Sequence, residues 1–376
     1  MDRKRLGDLA TYINGYAFKP ADRGNEGLPI IRIQDLTGNT YDLGFYNGDY
    51  PERIVINNGD VLISWSASLG VYIWDRGKAL LNQHIFKVVF DKAEVNKQYF
   101  VYAVRYKLKE MESKTHGATM KHIVKRDFDN TLVPFPAIDH QEEIARILSK
   151  VDGIINARNQ EIEALDNLIK ARFVEMFGDP EAGTCRYGTK KLGELSVKIS
   201  DGVHAKPNYT ETGRPFLSVV NINKGIVDFT DCKYVSEEAY KKMIKSTHPE
   251  NGDVLYTKVG ATYGIPAYVD TDKEFCLYVS VCLIKPKHER INARFLSIQM
   301  GMPSIKHQAD ARIKGIGVPD LHLNQIREFN IICPPRASQD EFVAFVDQVD
   351  KSKAQVQKAL DETRLLFDSL MQEYFG

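Results

Sequence analysis

The sequence predicts an α+β chain: two mixed globular domains, each running into one long helix, with the two helices paired. Three observations carry that expectation. The chain repeats itself: Pro134-Phe135-Pro136 leads to Gln141-Glu142-Glu143-Ile144, and Pro334-Pro335 leads to Gln339-Asp340-Glu341-Phe342, with Gln141 and Gln339 198 residues apart. The same offset carries Val151-Asp152 onto Val349-Asp350 and Phe177-Gly178 onto Phe375-Gly376. A period this long is a duplicated domain plus helix, not a solenoid. Turn-rich, strand-like stretches precede each helix, and each helix carries a heptad seam.

The elements follow in order. Residues 1–138 form the first domain. Leu28–Ile33, Asp60–Ser64, Val71–Trp74 and His84–Phe90 are short runs rich in Ile, Val and aromatics, separated by Gly/Asn/Asp turn signals. Lys97–Glu112 reads as a helix. Residues 139–180 contain the first long helix, with Ile144, Leu148, Val151, Ile155, Arg158, Ile162, Leu165, Ile169 and Arg172 spaced alternately four and three apart. Prolines stand before it, and Gly178-Asp179-Pro180 stops it. About 40 residues at 1.5 Å each make a rod of roughly 60 Å. Residues 181–338 repeat the first pattern: Gly59-Asp60-Val61-Leu62 returns as Gly252-Asp253-Val254-Leu255, and Lys4-Arg5-Leu6-Gly7-Asp8-Leu9 as Lys190-Lys191-Leu192-Gly193-Glu194-Leu195. Residues 339–376 repeat the helix, with seam positions Phe342, Val346, Val349, Lys353, Val356, Leu360, Thr363, Phe367 and Leu370. Such lengths exceed the ordinary globular helix of about 11–12 residues and favour a paired rod over two separate core helices.

The composition is that of a soluble globular protein, 43% hydrophobic and 27% charged. No apolar run is long enough to span a bilayer, and no hydrophobic stretch follows Met1-Asp2-Arg3-Lys4-Arg5, so neither membrane nor secretory signal is expected. Cys185, Cys232, Cys276, Cys282 and Cys333 all lie in the second half. A disulfide framework would have to serve both copies, so a reducing cytoplasm is the natural setting. Zero net charge hides a division: residues 1–135 and 181–335 carry +3 and +4, whereas 136–180 and 336–376 carry −4 and −3. The excesses are modest and favour nucleic acid only slightly.

Catalytic signatures are missing. Gly70-Val-Tyr-Ile-Trp-Asp-Arg-Gly77-Lys78 has the wrong spacing for a phosphate loop and lacks the Ser or Thr. There is no glycine-rich cofactor fingerprint, no HExxH, and no zinc-spaced cysteine pair. Cys276 and Cys282 read as buried strand residues, and the histidines form no ligand cluster. A duplicated scaffold of this kind suggests recognition or assembly.

Gly252-Asp-Val-Leu-Tyr-Thr-Lys-Val-Gly-Ala-Thr-Tyr-Gly264 resembles the target-recognition stretch of type I restriction–modification specificity subunits, as does Gly59-Asp-Val-Leu-Ile-Ser-Trp-Ser-Ala-Ser-Leu-Gly70 more loosely. Gly117-Ala-Thr-Met-Lys-His-Ile123, Val133-Pro-Phe-Pro136 and Gln141-Glu-Glu-Ile144 resemble that family's junction into its conserved helix. Gly315-Ile-Gly-Val-Pro319, Cys333-Pro-Pro335 and Gln339-Asp-Glu-Phe342 repeat the junction; Pro334-Pro335-Arg336-Ala337-Ser338-Gln339 departs from the usual Pro-Pro-Leu-x-x-Gln. The resemblance covers the whole chain. It implies two target-recognition domains, each reading one half of a bipartite site in double-stranded DNA, and an internal pseudo-twofold repeat. It implies two antiparallel coiled-coil spacer helices that dock two methyltransferase subunits, with restriction subunits joining that core. It further implies no cofactor and no catalysis in this chain: S-adenosylmethionine belongs to the methyltransferase partner, ATP and Mg to the restriction subunit. Two alternatives stand beside it, the specificity subunit of a type II restriction–methylation system and a coiled-coil scaffold that binds only protein.

Base reading favours Arg, Lys, Asn and Gln at groove edges, and phosphate contact favours Lys, Arg, hydroxyls and amides. In the first domain the DNA-binding candidates are Asn14, Tyr16, Lys19 and Arg23; Ser64, Trp65, Ser66 and Ser68; Asn82, Gln83 and His84; and Lys114, Thr119 and Lys121. In the second they are His204, Lys206, Asn208 and Tyr209; Thr257, Lys258, Thr262 and Tyr263; Tyr278 and Ser280; and Arg312 and Lys314. For each, the plain alternative is a polar turn residue facing water or a packed aromatic. The loops after Gly59-Asp60 and Gly252-Asp253 stand out because their frame repeats while their tips differ, Ser-Trp-Ser against Thr-Lys-Val.

Overall fold

The computed structural model describes residues 2–38, 43–114, 123–313 and 317–376, without the side chains of 113 and 114. The chain divides into two compact units, residues 1–160 with 357–376, and residues 161–356.

In the first unit, strands Thr11–Asn14, Ile85–Val89, Val61–Ser64 and Gly70–Ile73 form, in that order, an antiparallel sheet. Val61–Ser64 is buried along its whole length, which explains an unbroken Val-Leu-Ile run in place of alternation. A second sheet orders Phe45–Tyr46, Leu28–Ile31, Ala79–Leu81 and Val55–Ile56, with Leu28–Ile31 and Ala79–Leu81 parallel. Helix Lys97–Lys114 buries Tyr99, Phe100, Tyr102 and Val104 in a core shared with the first sheet and with Leu148, Met371 and Phe375. Arg3–Arg5 pairs with Leu132–Pro134, which closes the domain just before the long helix starts.

The second unit rebuilds this plan. Ser196–Asp201, Val281–Pro286, Val254–Thr257 and Pro266–Tyr268 make the antiparallel sheet. Arg214–Leu217 runs parallel to Cys276–Leu277 in the smaller one. Helix Ala293–Met300 takes the place of Lys97–Lys114, and Thr189–Lys191 pairs with Asn330–Ile332 as the closing strands.

The long helices are Ile138–Phe177 and Arg336–Phe375, each 40 residues, so both ends obey the 198-residue offset. The second begins three residues before the expected start at Gln339. The Pro335 carbonyl already accepts from the amides of Ser338 (3.0 Å) and Gln339 (3.2 Å), which closes the first turn ahead of that glutamine. Every predicted seam residue of both helices is buried or half-buried. Within each unit the pairing is antiparallel. In the first, the Arg158 guanidinium donates to the Ala359 carbonyl and the Thr363 hydroxyl, while Ile144 shares a core with Met371 and Phe375. In the second, Lys353 binds Asp166, Arg172 binds Glu341 at 3.1 Å, and Phe173 and Phe177 pack on Phe342.

The repeated glutamine has a physical reason. Gln141 is buried; its side-chain carbonyl accepts from the Asn96 amide (3.1 Å) and its NH2 donates to the Pro136 carbonyl (2.9 Å). Gln339 does the same with Asn292 (2.7 Å) and Pro334 (2.8 Å). Asn96 and Asn292 in turn cap the domain helices, accepting from Tyr99 and from Arg294 and Phe295. One buried amide thus ties each long helix to the start of its domain's helix.

Candidate nucleic-acid interface

The Gly-Asp motif builds the platform in both units. Gly59 has φ +88° and Gly252 φ +90°, a left-handed conformation that favours glycine. Their amides donate to Trp74 (2.7 Å) and Val269 (2.9 Å), and the carbonyls of Asp60 and Asp253 accept from those same residues. The Asp60 carboxylate caps the Asn57 amide at 2.8 Å and pairs with Lys87 at 3.0 Å. Asp253 caps Glu250 at 2.7 Å and pairs with Lys285 at 2.7 Å. Burial raises the Asp253 carboxyl above its ordinary range, against the pull of Lys285. Burial also opposes the Lys285 charge, but its bonds to Asp253 and Glu250 prevail and raise the ammonium. These aspartates therefore serve the frame.

The buried strand then delivers the chain to the tip. Ser64 and Thr257 are fully buried, and their hydroxyls close the following turn on the carbonyls of Ser68 (2.6 Å) and Thr262 (2.7 Å). They hold loops and present nothing to solvent. The next residue is a post to which other segments are tied. Trp65 donates its amide to His84 (3.3 Å) and its carbonyl accepts from Ile123 (2.9 Å). Lys258 repeats both bonds, with Ser280 (3.0 Å) and Leu321 (2.9 Å). A third segment arrives at Gly15 and Gly202, where an added Cβ would meet the Asn82 and Leu277 carbonyl oxygens at 2.0 Å. Tyr16 and Asn82 bridge there in one unit, Val203 and Tyr278 in the other.

So in each unit the structure brings three candidate segments together, 14–16, 64–68 and 82–84, and 201–204, 257–263 and 278–280. Asn14, Tyr16, Ser68 and Gln83 are exposed at the first cluster; His204, Lys206, Asn208, Tyr209 and Thr262 are exposed in the second unit. Lys19 and Arg23, also exposed, flank the separate turn Pro20–Asp22. Ser66 is buried, and Asn82 and His84 are half-buried. Ala67 (φ +58°) and His84 (φ +72°), the two non-glycine left-handed residues among those described, both sit in the first cluster, where strain marks a constrained loop.

The posts differ in chemistry. The Trp65 ring stacks on Phe86 (centroids 5.5 Å, 23°) and meets His84 edge-on at 4.9 Å. Lys258, 5% exposed in its side chain, places its ammonium 3.1 Å from Asp320 and 3.8 Å from Asp201; His204 lies 3.4 Å from Asp201. Several other candidates have internal partners. Ser280 is buried with its hydroxyl accepting from the Val219 amide at 3.3 Å. Arg312 donates to the carbonyls of Gln308 and Glu328. The Tyr263 hydroxyl donates to Asp310, and half-buried Tyr278 packs on Phe216. Thr119, Lys121 and Lys314 lie outside the described residues, as does the side chain of Lys114. The partners Asp201 and Asp320 were missed because a search for DNA contacts passes over acids. The signal was present: Asp320 precedes Leu321, the second-copy counterpart of Ile123.

Among the described residues, no group of three or more His, Cys, Asp or Glu could hold a metal ion, and no helix is long and apolar enough to cross a membrane. All five cysteines are free; burial pushes the Cys276 thiol up to about 12 and raises Cys282 further, so both behave as inert core residues.

A twice-repeated frame with different groups at its tips is the architecture of a duplicated recognition module. The chain belongs to the family described as the type I restriction modification DNA specificity domain, which matches residues 1–164 and 187–363. It is 25% identical over 406 aligned positions to the type I restriction enzyme EcoBI specificity subunit of Escherichia coli, covering 99% of this chain and 85% of that one. It is 23% identical to the MjaVIII specificity subunit of Methanocaldococcus jannaschii, covering 94% and 89%. The fold is similar to that of the type I restriction–modification S subunit from M. genitalium, with a TM-score of 0.55, 16% identity and coverage of 100% and 96%.

Proposed function

We propose that this chain is the DNA sequence-specificity subunit of a type I restriction–modification complex, with residues 1–138 and 181–338 each reading one half of a bipartite site. The observation that carries the reading is that one shared frame exposes unlike groups in its two copies, Asn14, Tyr16 and Gln83 in one and His204, Lys206 and Asn208 in the other: two different half-sites require two different tips on a common support. The exposed Asn14, Tyr16, Gln83, His204, Lys206 and Asn208 are the groups offered to bases and phosphates.

The helices act as spacer and dock. DNA turns once about every 34–36 Å, so a reader displaced by one base pair is also rotated, and a stiff helix pair accepts fewer spacings than a flexible linker. Leu168 (46%) and Val174 (43%) on the first helix, with Leu365 (71%) and Leu366 (52%) on the second, are exposed apolar groups suited to methyltransferase subunits. The chain is non-catalytic alone. Adenine methylation and S-adenosylmethionine belong to the methyltransferase partner, and ATP and Mg to a restriction subunit, all in the cytoplasm.

Methylation mapping in a host carrying this chain and its partner methyltransferase tests the reading. It should reveal methylated adenines in an asymmetric, interrupted motif, and a four-residue insertion in the first long helix should change the spacer alone. Methyl transfer by the purified chain alone would refute the assignment. An unchanged spacer would refute the ruler.

A further inference from the structure

We infer that Lys258 is a positioning residue for the second half-site, one that organises the reading loops from inside and does not touch DNA. The inference rests on the recognition reading above and deepens it. A lysine at the tip of a reading loop suggests a phosphate contact, but this ammonium points inward. Its side chain is 5% exposed, and it donates to the Asp320 carboxylate at 3.1 Å with Asp201 at 3.8 Å. The Lys258 backbone is bonded to Ser280 and Leu321.

One residue therefore gathers three loops. Asp201 begins the segment that carries His204, Lys206, Asn208 and Tyr209. Ser280 closes the turn after Tyr278, and Asp320 lies in the stretch 317–321. Adjacent bonds reinforce the junction: the Gly260 amide donates to Pro319 at 2.9 Å, and Val259 bridges Asp320. A group this deeply buried is little screened by salt, so the latch persists under conditions that weaken phosphate contacts. In the first unit the same station holds Trp65 on Phe86, the counterpart of Cys282, so an aromatic stack does the work of the ion pairs.

The test uses the full chain in complex with its methyltransferase, comparing wild type with K258M, K258R and D320N by methylation mapping and by DNA affinity as a function of salt. K258M should relax the half-motif read by the second domain, lowering discrimination against single-base variants there by about tenfold, while the other half stays intact. K258R should restore most of the discrimination. D320N, at a carboxylate 44% exposed, loosens the latch without opening the interior and should relax the same half. The slope of log affinity against log salt should not change in K258M. A slope shallower by about 0.9 with an unchanged motif would make Lys258 a direct phosphate contact and overturn the inference. Lowered thermal stability with both half-motifs intact would overturn it too, leaving Lys258 a merely structural residue. If the wild-type complex yields no bipartite motif, the failure belongs to the recognition reading itself.

Discussion

At the end of the same buried strand, the first unit sets an indole and the second an ammonium. Around that point nearly everything corresponds: the left-handed glycine, the capping aspartate (with a lysine partner taken from a different position of the neighbouring strand), the hydroxyl that closes the turn, the two backbone bonds of the post. The difference lies in how the post is anchored, by an aromatic stack in one unit and by ion pairs in the other, while the exposed groups around it differ as well. Residues that hold the frame recur because the same backbone groups need the same partners, whereas tip residues are free to diverge.

The comparison can be pressed hardest where the helices meet the domains. In the second unit Phe173, Phe177, Phe295 and Phe342 form a mutual ring cluster; their counterparts in the first are Met371, Phe375, Tyr99 and Ile144. Phe342→Ala should cost about 3–5 kcal/mol and Ile144→Ala about 2–5 kcal/mol, the smaller side chain losing less, read by urea unfolding with hydrogen exchange to report each unit. A larger loss for Ile144→Ala would break the proposed ordering. Gln141→Leu and Gln339→Leu each leave a partly buried helix-capping amide without its acceptor, and each should cost roughly 1–3 kcal/mol. Similar losses would affirm that the two glutamines do one job.

The Asp–Lys pairs should respond unequally. Lys285→Met should cost about 2 kcal/mol at neutral pH, because it strands Asp253 in the interior. Lys87→Met should cost about 1 kcal/mol or less, because Asp60 is partly exposed. The pH dependence follows from the shifts. Lys285 is raised, so its share is complete at neutral pH and is lost as pH climbs through that raised value. Glu250 is lowered, chiefly by its bond to Lys285, so its share disappears as pH falls through that lowered value. Asp253 is raised by burial, so its ionisation works against folding. The Lys285→Met deficit should therefore be largest near neutrality and shrink on acidification, which melting curves across pH would show. The smallest effects belong to exposed cations: Lys206→Ala and Arg23→Ala should each make the salt slope of DNA binding shallower by about 0.9 without altering the motif.

Much of this architecture was legible in the sequence, and the reason is physical. Heptad spacing fixes which helix face is buried, and a duplicated chain states each constraint twice, so the seam from Ile144 to Arg172 could be mapped onto Phe342 to Leu370. The start of the second helix was misjudged because Gln339 looks like an opening polar residue but is a buried clasp. The site was harder to read. Ser64, Thr257, Ser280 and Lys258 have the chemistry of nucleic-acid contacts, yet tertiary structure turns them inward onto carbonyls, an amide and carboxylates. Sequence shows which groups a loop contains; only packing shows which way they face.

The central claim, two unlike readers on one repeated frame, is tested most directly by exchanging residues 1–135 for the corresponding stretch of another member of the family and mapping methylated adenines in the host. The account predicts a new sequence in one half of the motif, with the other half and the spacer untouched. Change in both halves, or in neither, would contradict it.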